Sequence, residues 1–151
     1  MSKIADLLQD IESKIIHAEA LNDRVSKSNV AWHLDHSLKV INSVITTLQK
    51  SEANYKWRFN WKRILLLSIK IIPRGKAKAP KAVRSFEEIT IADIERQLKT
   101  ARFLLQELET IDKNANFMHP HVGQLNVKQA IIFLGIHTQH HLKIIDDILK
   151  K

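Results

Sequence analysis

The sequence predicts an all-α fold, a four-helix bundle with a long crossover between helices two and three that contains a short extra helix. Only three Gly and three Pro occur among the 151 residues, 44% of which are hydrophobic and 26% charged. This composition favours helices in a soluble globular chain. Four long stretches also repeat their apolar residues at helical spacing. At this length we expect one domain spanning residues 1–151.

The ends of the four long helices are predicted from apolar spacing and from capping residues. Thr90 is suited to be the N-cap of the third helix, and Asn126 and Gln129 have the spacing of a capping box at the start of the fourth. The predicted helices cover about residues 2–21, 29–50, 90–112 and 126–150.

The crossover carries most of the excess positive charge. Residues 55–71, "YKWRFNWKRILLLSIKI", predict the short extra helix, and an irregular loop is expected from Pro73 to Lys81. Ten Lys or Arg and no Asp or Glu lie in the basic 56–84 segment, whereas the whole chain has a net charge of +8. We interpret this helix as burying its Trp and Leu face, with Lys and Arg in solvent. Contact with an anionic small molecule is an alternative. Nucleic acid or a membrane is the least favoured partner; against nucleic acid, the charge is confined to one crossover and no known binding motif is present.

Several features bear on compartment. Cysteine is absent, which excludes disulfides and thiolate ligands. Charged residues from Lys3 onward interrupt the N-terminus, so it does not resemble a signal peptide. The longest apolar run, Ile64 to Ile72, contains Ser68 and Lys70 and is too short to span a bilayer. We expect a cytoplasmic protein.

The fourth helix places histidines on its buried stripe. At 100° per residue His137 and His141 fall in the middle of the apolar face, and His140 lies at its edge. A buried imidazole without a partner costs about 1–3 kcal/mol, so two stacked in a core need a shared explanation. Histidines four residues apart can ligate one cation. The alternative is a pair of core histidines bonded to backbone or hydroxyl groups, and we favour the metal.

A third ligand is expected from the second helix. His33 and His36 can both face the interior near the same end, and their spacing does not choose between them. A zinc peptidase would carry Glu directly after the first histidine of the fourth helix, where this chain has Thr138. We therefore exclude a metallopeptidase.

Four stretches occur in an order that resembles the DinB-like family of bacterial four-helix-bundle proteins: "WHLDHSLKVI", "PRGKAKAP", "HPHVGQLNVKQA" and "HTQHH". The resemblance implies that His36, His137 and His141 hold a divalent metal ion. Zn²⁺, Ni²⁺, Fe²⁺ and Mn²⁺ all accept imidazole ligands. His33, His140 and His119 would then lie around the site, the last of them in the loop before the fourth helix.

Three protein ligands leave a coordination position for water or substrate. The resemblance implies a metal-dependent hydrolase or thiol S-transferase, with a small-molecule substrate such as a low-molecular-weight thiol, and a homodimer. The sequence identifies no catalytic residue. A helical bundle that binds metal or ligand without catalysis is the alternative, and a polyanion-binding protein acting through the basic 56–84 segment is less favoured.

Overall fold

The computed structural model describes residues 2–74 and 89–150, which are mostly helical. The helices are α1 (Ser2–Lys14), α2 (Val30–Gln49), α3 (Trp61–Ile69), α4 (Ile91–Glu107) and α5 (Val127–Leu149), and two strands, β1 (Asn116–His119) and β2 (Gly123–Asn126), precede α5. Short 3₁₀ turns follow α1 at Ile15–His17 and α4 at Leu108–Thr110. Most of the loop predicted from Pro73 to Lys81 lies outside the described residues.

The core lies between the four long helices. α2 packs against α4 and α5, and α1 contacts the same two helices. Each contributes large apolar side chains that are fully buried, among them Leu8, Ile41, Ile94 and Leu134. The helical stripes read from the sequence are therefore the surfaces that pack, although α1 and α4 end earlier than predicted and continue as 3₁₀ turns.

Capping residues determine where α4 and α5 begin. The Thr90 side chain accepts from the backbone N–H of Asp93, whose carboxylate accepts from the N–H of Thr90. Asn126 and Gln129 make the same reciprocal pair at the start of α5. Both predicted caps are confirmed, and they satisfy backbone donors that a helix start leaves unpaired. The second cap sets the register in which α5 presents its histidines.

A β-hairpin corrects the all-α prediction. The lead-in to α5, predicted as a loop, forms the antiparallel pair β1–β2, in which Phe117 lies opposite Leu125. Both side chains are buried, so four residues on each strand suffice to add them to the core. Gly123 begins β2 with a φ of +73°, a conformation that glycine adopts without steric cost.

The crossover helix also differs from the prediction. α3 has nine residues, and residues 55–60 before it are irregular. The expectation that its Trp and Leu face would be buried is wrong for Trp61 and Leu65, which are exposed, while Leu66 packs partly buried against the core and Arg63 is buried. The reason is that the Arg63 guanidinium donates to the backbone carbonyl oxygen atoms of Gln124 and Arg58. In the described part of the chain, no helix has the length and apolar character needed to cross a bilayer.

Candidate metal centre

The packing of α2 against α5 brings three histidines together. His36, His137 and His141 each offer one ring nitrogen, and these atoms all lie within 4.8 Å of one another. The ring centroid of His36 lies 5.1 Å from that of His137 and 4.8 Å from that of His141. Within residues 2–74 and 89–150, this is the one group of histidine and carboxylate side chains placed to hold a metal ion.

The protonation state of the cluster suits a cation. Burial, reinforced by neighbouring histidines, lowers the pKa of His137 to about 3 and that of His141 well below its usual range. Both imidazoles are therefore neutral at pH 7, which is the form that ligates metals. The Nδ1 atom of His137 is buried and has no hydrogen-bond partner within the described residues. A buried nitrogen without a hydrogen-bond partner, close to two other imidazoles, is suited to ligate a divalent ion.

His33 lies beside this cluster, hydrogen-bonded to one of its members. Its Nδ1 is 3.0 Å from Nδ1 of His141, and its Nε2 is 2.9 Å from the hydroxyl oxygen of Ser26. Burial lowers the pKa of His33 to about 4, so this ring is neutral as well. Because Nδ1 of His141 is engaged by His33, Nε2 of His141 is the nitrogen left for a metal.

Trp32 forms one wall of the site. Its indole stacks on His36 with ring centroids 5.0 Å apart and an interplanar angle of 12°, and it meets His33 edge-on at 5.1 Å. The side chain thus limits the orientations open to both rings of α2. Asp35 is buried but points elsewhere, pairing with Lys39 at 2.8 Å.

His140 lies at the edge of the cluster, next to a basic cavity. Its ring is 5.2 Å from that of His141, and burial followed by the charge of Arg74 lowers its pKa. A cavity of about 140 Å³ adjoins it, with Lys70, Arg74 and Lys143 in its walls. His137 itself is only half-buried. Part of the His137 side chain is therefore accessible to solvent, and the neighbouring cavity is lined by basic side chains.

His119, the last residue of β1, packs on Phe133 beside the cluster. Its Nδ1 accepts from the backbone N–H groups of His121 and Val122 at 3.1 and 3.3 Å. Its ring packs on Phe133 at 4.7 Å, and Phe133 in turn is 5.7 Å from His137. Burial lowers the pKa of His119 to about 4. Phe133 thus packs on both His119 and His137.

Sequence reasoning missed two parts of this site. Ser26, in the loop before α2, gives no sequence signal because serine is common in loops, and only its bond to His33 reveals a role. The basic cavity joins Lys70 and Arg74 of the crossover to Lys143 of α5, a long-range contact that no local pattern shows. Thr138, which stands where a peptidase would have Glu, is buried.

These features define a class: a mostly helical protein with a buried three-histidine group that could hold a divalent ion. A family model described as the DinB superfamily matches residues 7–145, which include all three histidines. The chain belongs to the DinB superfamily. Comparison with curated proteins and with solved structures finds no significant match.

Proposed function

We propose that this protein is a divalent-metal-dependent enzyme with the four-helix-bundle arrangement of DinB-like proteins, acting as a hydrolase or a thiol S-transferase. The observation that carries the proposal is the convergence of His36, His137 and His141 within 4.8 Å. Catalytic metal sites commonly use three protein ligands and keep one position for a reactant, whereas structural sites normally close with four protein ligands. A bound divalent ion would lower the pKa of a water or thiol in that position toward neutrality.

His33 and Ser26 would orient one of the three ligands. A neutral His141 that ligates through Nε2 must carry its proton on Nδ1, and that proton can be donated to Nδ1 of His33 at 3.0 Å. His33 then carries its own proton on Nε2 and donates it to Ser26 at 2.9 Å. Without a metal, the same hydrogen bonds could also run in the opposite direction, from Ser26 through His33 to His141. With a metal on Nε2 of His141 they run only from His141 to Ser26, so metal binding selects this tautomer.

The basic cavity would bind an anionic group of a small-molecule substrate. Lys70, Arg74 and Lys143 line it, and His140 connects it to the histidine cluster. The depressed pKa of His140 keeps that ring neutral at pH 7, so it can accept a proton from a reacting group. A low-molecular-weight thiol with an acidic group would fit both the open coordination position and the cavity.

A non-catalytic metal-binding role is the second candidate. The observation that favours it is the composition of the cluster, which contains histidines and no carboxylate that could act as a general base. Self-association and a cytoplasmic location, both expected from the sequence, stay predictions.

Metal content of untagged protein, measured by mass spectrometry, tests the metal. We expect about one divalent ion per chain in the wild type, loss of the ion in His137→Ala, and retention in the control His17→Ala, which removes an exposed histidine. If all three proteins are folded but the wild type contains no metal and cannot be loaded with it, the proposal is wrong.

The reaction class needs a separate assay on loaded protein. We would measure the rates of two reactions for the wild type and for His140→Gln. One is the transfer of a small thiol to an alkylating reagent, and the other is the hydrolysis of an activated ester. Turnover that depends on the ion supports an enzyme. A protein that binds the ion in full and accelerates neither reaction supports the non-catalytic role.

A further inference from the structure

Residues 57–71 present a concentrated apolar surface to solvent. Trp57, Phe59 and Trp61 are 65%, 71% and 60% exposed, and Ile71 is 64% exposed. Other exposed large apolar side chains of the described residues, such as Phe103 and Met118, are scattered along the chain. Isolated exposed residues are normal, but a concentration of them marks an interaction site. The α3 surface, as defined here, consists of Trp57, Phe59, Trp61, Ile64, Leu65, Ile69 and Ile71.

For the members of this surface that belong to α3, the outward direction follows from the way the helix docks. Trp61, Ile64 and Leu65 share one side of the helix, and Arg63 projects from the opposite side into the protein. The buried guanidinium donates to the backbone carbonyl of Gln124 at 2.8 Å. Rotating the helix to bury its apolar side would break these bonds and leave carbonyl groups unpaired. The exposure of the apolar side is thus built into the contacts of α3.

Exposed positive charges lie in the same segment as the α3 surface. Lys56, Arg58, Lys62 and Lys70 are exposed, and residues 53–74 contain no Asp or Glu. The ammonium group of Lys62 lies 5.8 Å from the ring centre of Trp61, so cationic and apolar groups are neighbours. A surface on which cationic and apolar side chains are neighbours is complementary to a partner that has both apolar and negatively charged groups.

We propose that the α3 surface binds an anionic lipid bilayer and lies in its interface. Aromatic and aliphatic side chains on one side, with Lys and Arg beside them, are typical of segments that insert shallowly among acidic headgroups. A second copy fits less well, because two such surfaces face to face would oppose like charges. Nucleic acid also fits less well, since Ile64, Leu65, Ile69 and Ile71 cannot stack on bases as aromatic rings do.

Sedimentation of the 151-residue chain with lipid vesicles tests this inference. We expect at least about ten-fold stronger binding to vesicles of equal parts phosphatidylcholine and phosphatidylglycerol than to phosphatidylcholine alone, decreasing as salt is added. The emission of Trp57 and Trp61 should move to shorter wavelength on binding, as their indoles leave water. Because the metal ligands are not involved, His137→Ala should bind vesicles as the wild type does.

Matched variants assign the binding to the α3 surface. Leu65→Ser together with Phe59→Ser should weaken binding about ten-fold or more, and Lys62→Gln about five-fold. Phe103→Ser removes an aromatic side chain of 60% exposure from α4 and should change nothing.

Three results would overturn the inference. The first is the absence of binding to acidic vesicles at low salt. The second is a concentration-dependent dimer in the ultracentrifuge that Leu65→Ser abolishes, which would make the surface an interface between copies. The third is tight binding of single-stranded DNA that the same variants abolish while vesicle binding persists.

Discussion

The histidine cluster and the α3 surface both reverse the usual distribution of residues, in opposite directions. The cluster places polar rings inside the protein, and the α3 surface places apolar rings outside it. The buried rings are mostly compensated by the chain itself, through contacts between His33, His141 and Ser26. The exposed rings have no comparable cover within the described residues. The partner that the histidine cluster lacks is as small as one ion, whereas a partner that covers the α3 surface must itself be an extended surface.

Metal binding should change thermal stability more than any other test below, and the change should depend on the histidine cluster but not on the α3 surface. At a free metal concentration a hundred times Kd, binding stabilises the folded state by about 2.7 kcal/mol, which raises Tm by about 5–10 °C in a chain of this size. A chelator should reverse the shift in wild type and in Leu65→Ser. In His137→Ala neither metal nor chelator should change Tm. A metal-dependent shift that survives in His137→Ala would mean that the ion binds elsewhere.

The next effect tests the hydrogen bonds behind the cluster. His33→Leu removes the acceptor for Nδ1 of His141 and should weaken metal affinity about 10–100-fold, as measured by competition with a chromogenic chelator. His33→Gln keeps a side-chain acceptor and should restore much of the affinity. Equal losses in both variants would show that His33 acts by filling space and not by orienting His141.

A smaller effect tests how α3 is held. Arg63→Met keeps the apolar stem but removes the bonds to the carbonyl groups of Gln124 and Arg58, and should lower the free energy of unfolding by about 1–3 kcal/mol in a urea titration. Lys62→Met, an exposed neighbour on the same helix, should change it by less than about 0.5 kcal/mol. A neutral Arg63→Met would mean that the orientation of α3 is not fixed by this side chain.

The pH dependence of metal affinity should be weak. The pKa of His137 is about 3 and that of His141 is also depressed, so protons do not compete for these rings between pH 8 and 6. Metal affinity should fall less than about five-fold over that range, whereas two ordinary histidines would lose more than about ten-fold. A much steeper fall in the chelator competition would contradict the burial of these rings.

The stability of the metal-free protein should respond to acid more strongly. In the unfolded chain histidine titrates near pH 6.5, but in the folded protein His137 titrates near 3 and His33 near 4. The unfolded state therefore binds protons first as the pH falls. Stability is fully present above about pH 6.5 and is lost progressively down to about pH 3, as first His33 and then His137 titrate in the folded state. Urea titrations at a series of pH values measure this loss.

The long helices could be predicted because their determinants are local. Apolar spacing and the caps at Thr90 and Asn126 depend on residues within one or two turns. The placement of His137 and His141 on one stripe follows from the same geometry. Helical spacing could not choose between His33 and His36, since both face inward, and the choice of His36 rested on the family resemblance.

What the sequence could not show depends on contacts distant along the chain. The hairpin is stabilised by burial of Phe117 and Leu125 against helices, and each strand is too short for a clear alternating pattern. The orientation of α3 depends on Arg63 meeting Gln124, a residue 61 positions away. A hydropathy pattern alone places the apolar side of any amphipathic helix inward, and here that default is wrong.

X-ray absorption at the zinc edge of zinc-loaded protein would detect the histidine ligands themselves. We expect three imidazole nitrogens at about 2.0–2.1 Å and one further light ligand that an added thiol replaces with sulfur at about 2.3 Å. His36→Ala should lose the imidazole pattern, and His17→Ala should keep it. A wild-type shell built mainly from oxygen, or unchanged in His36→Ala, would contradict a metal centre formed by His36, His137 and His141.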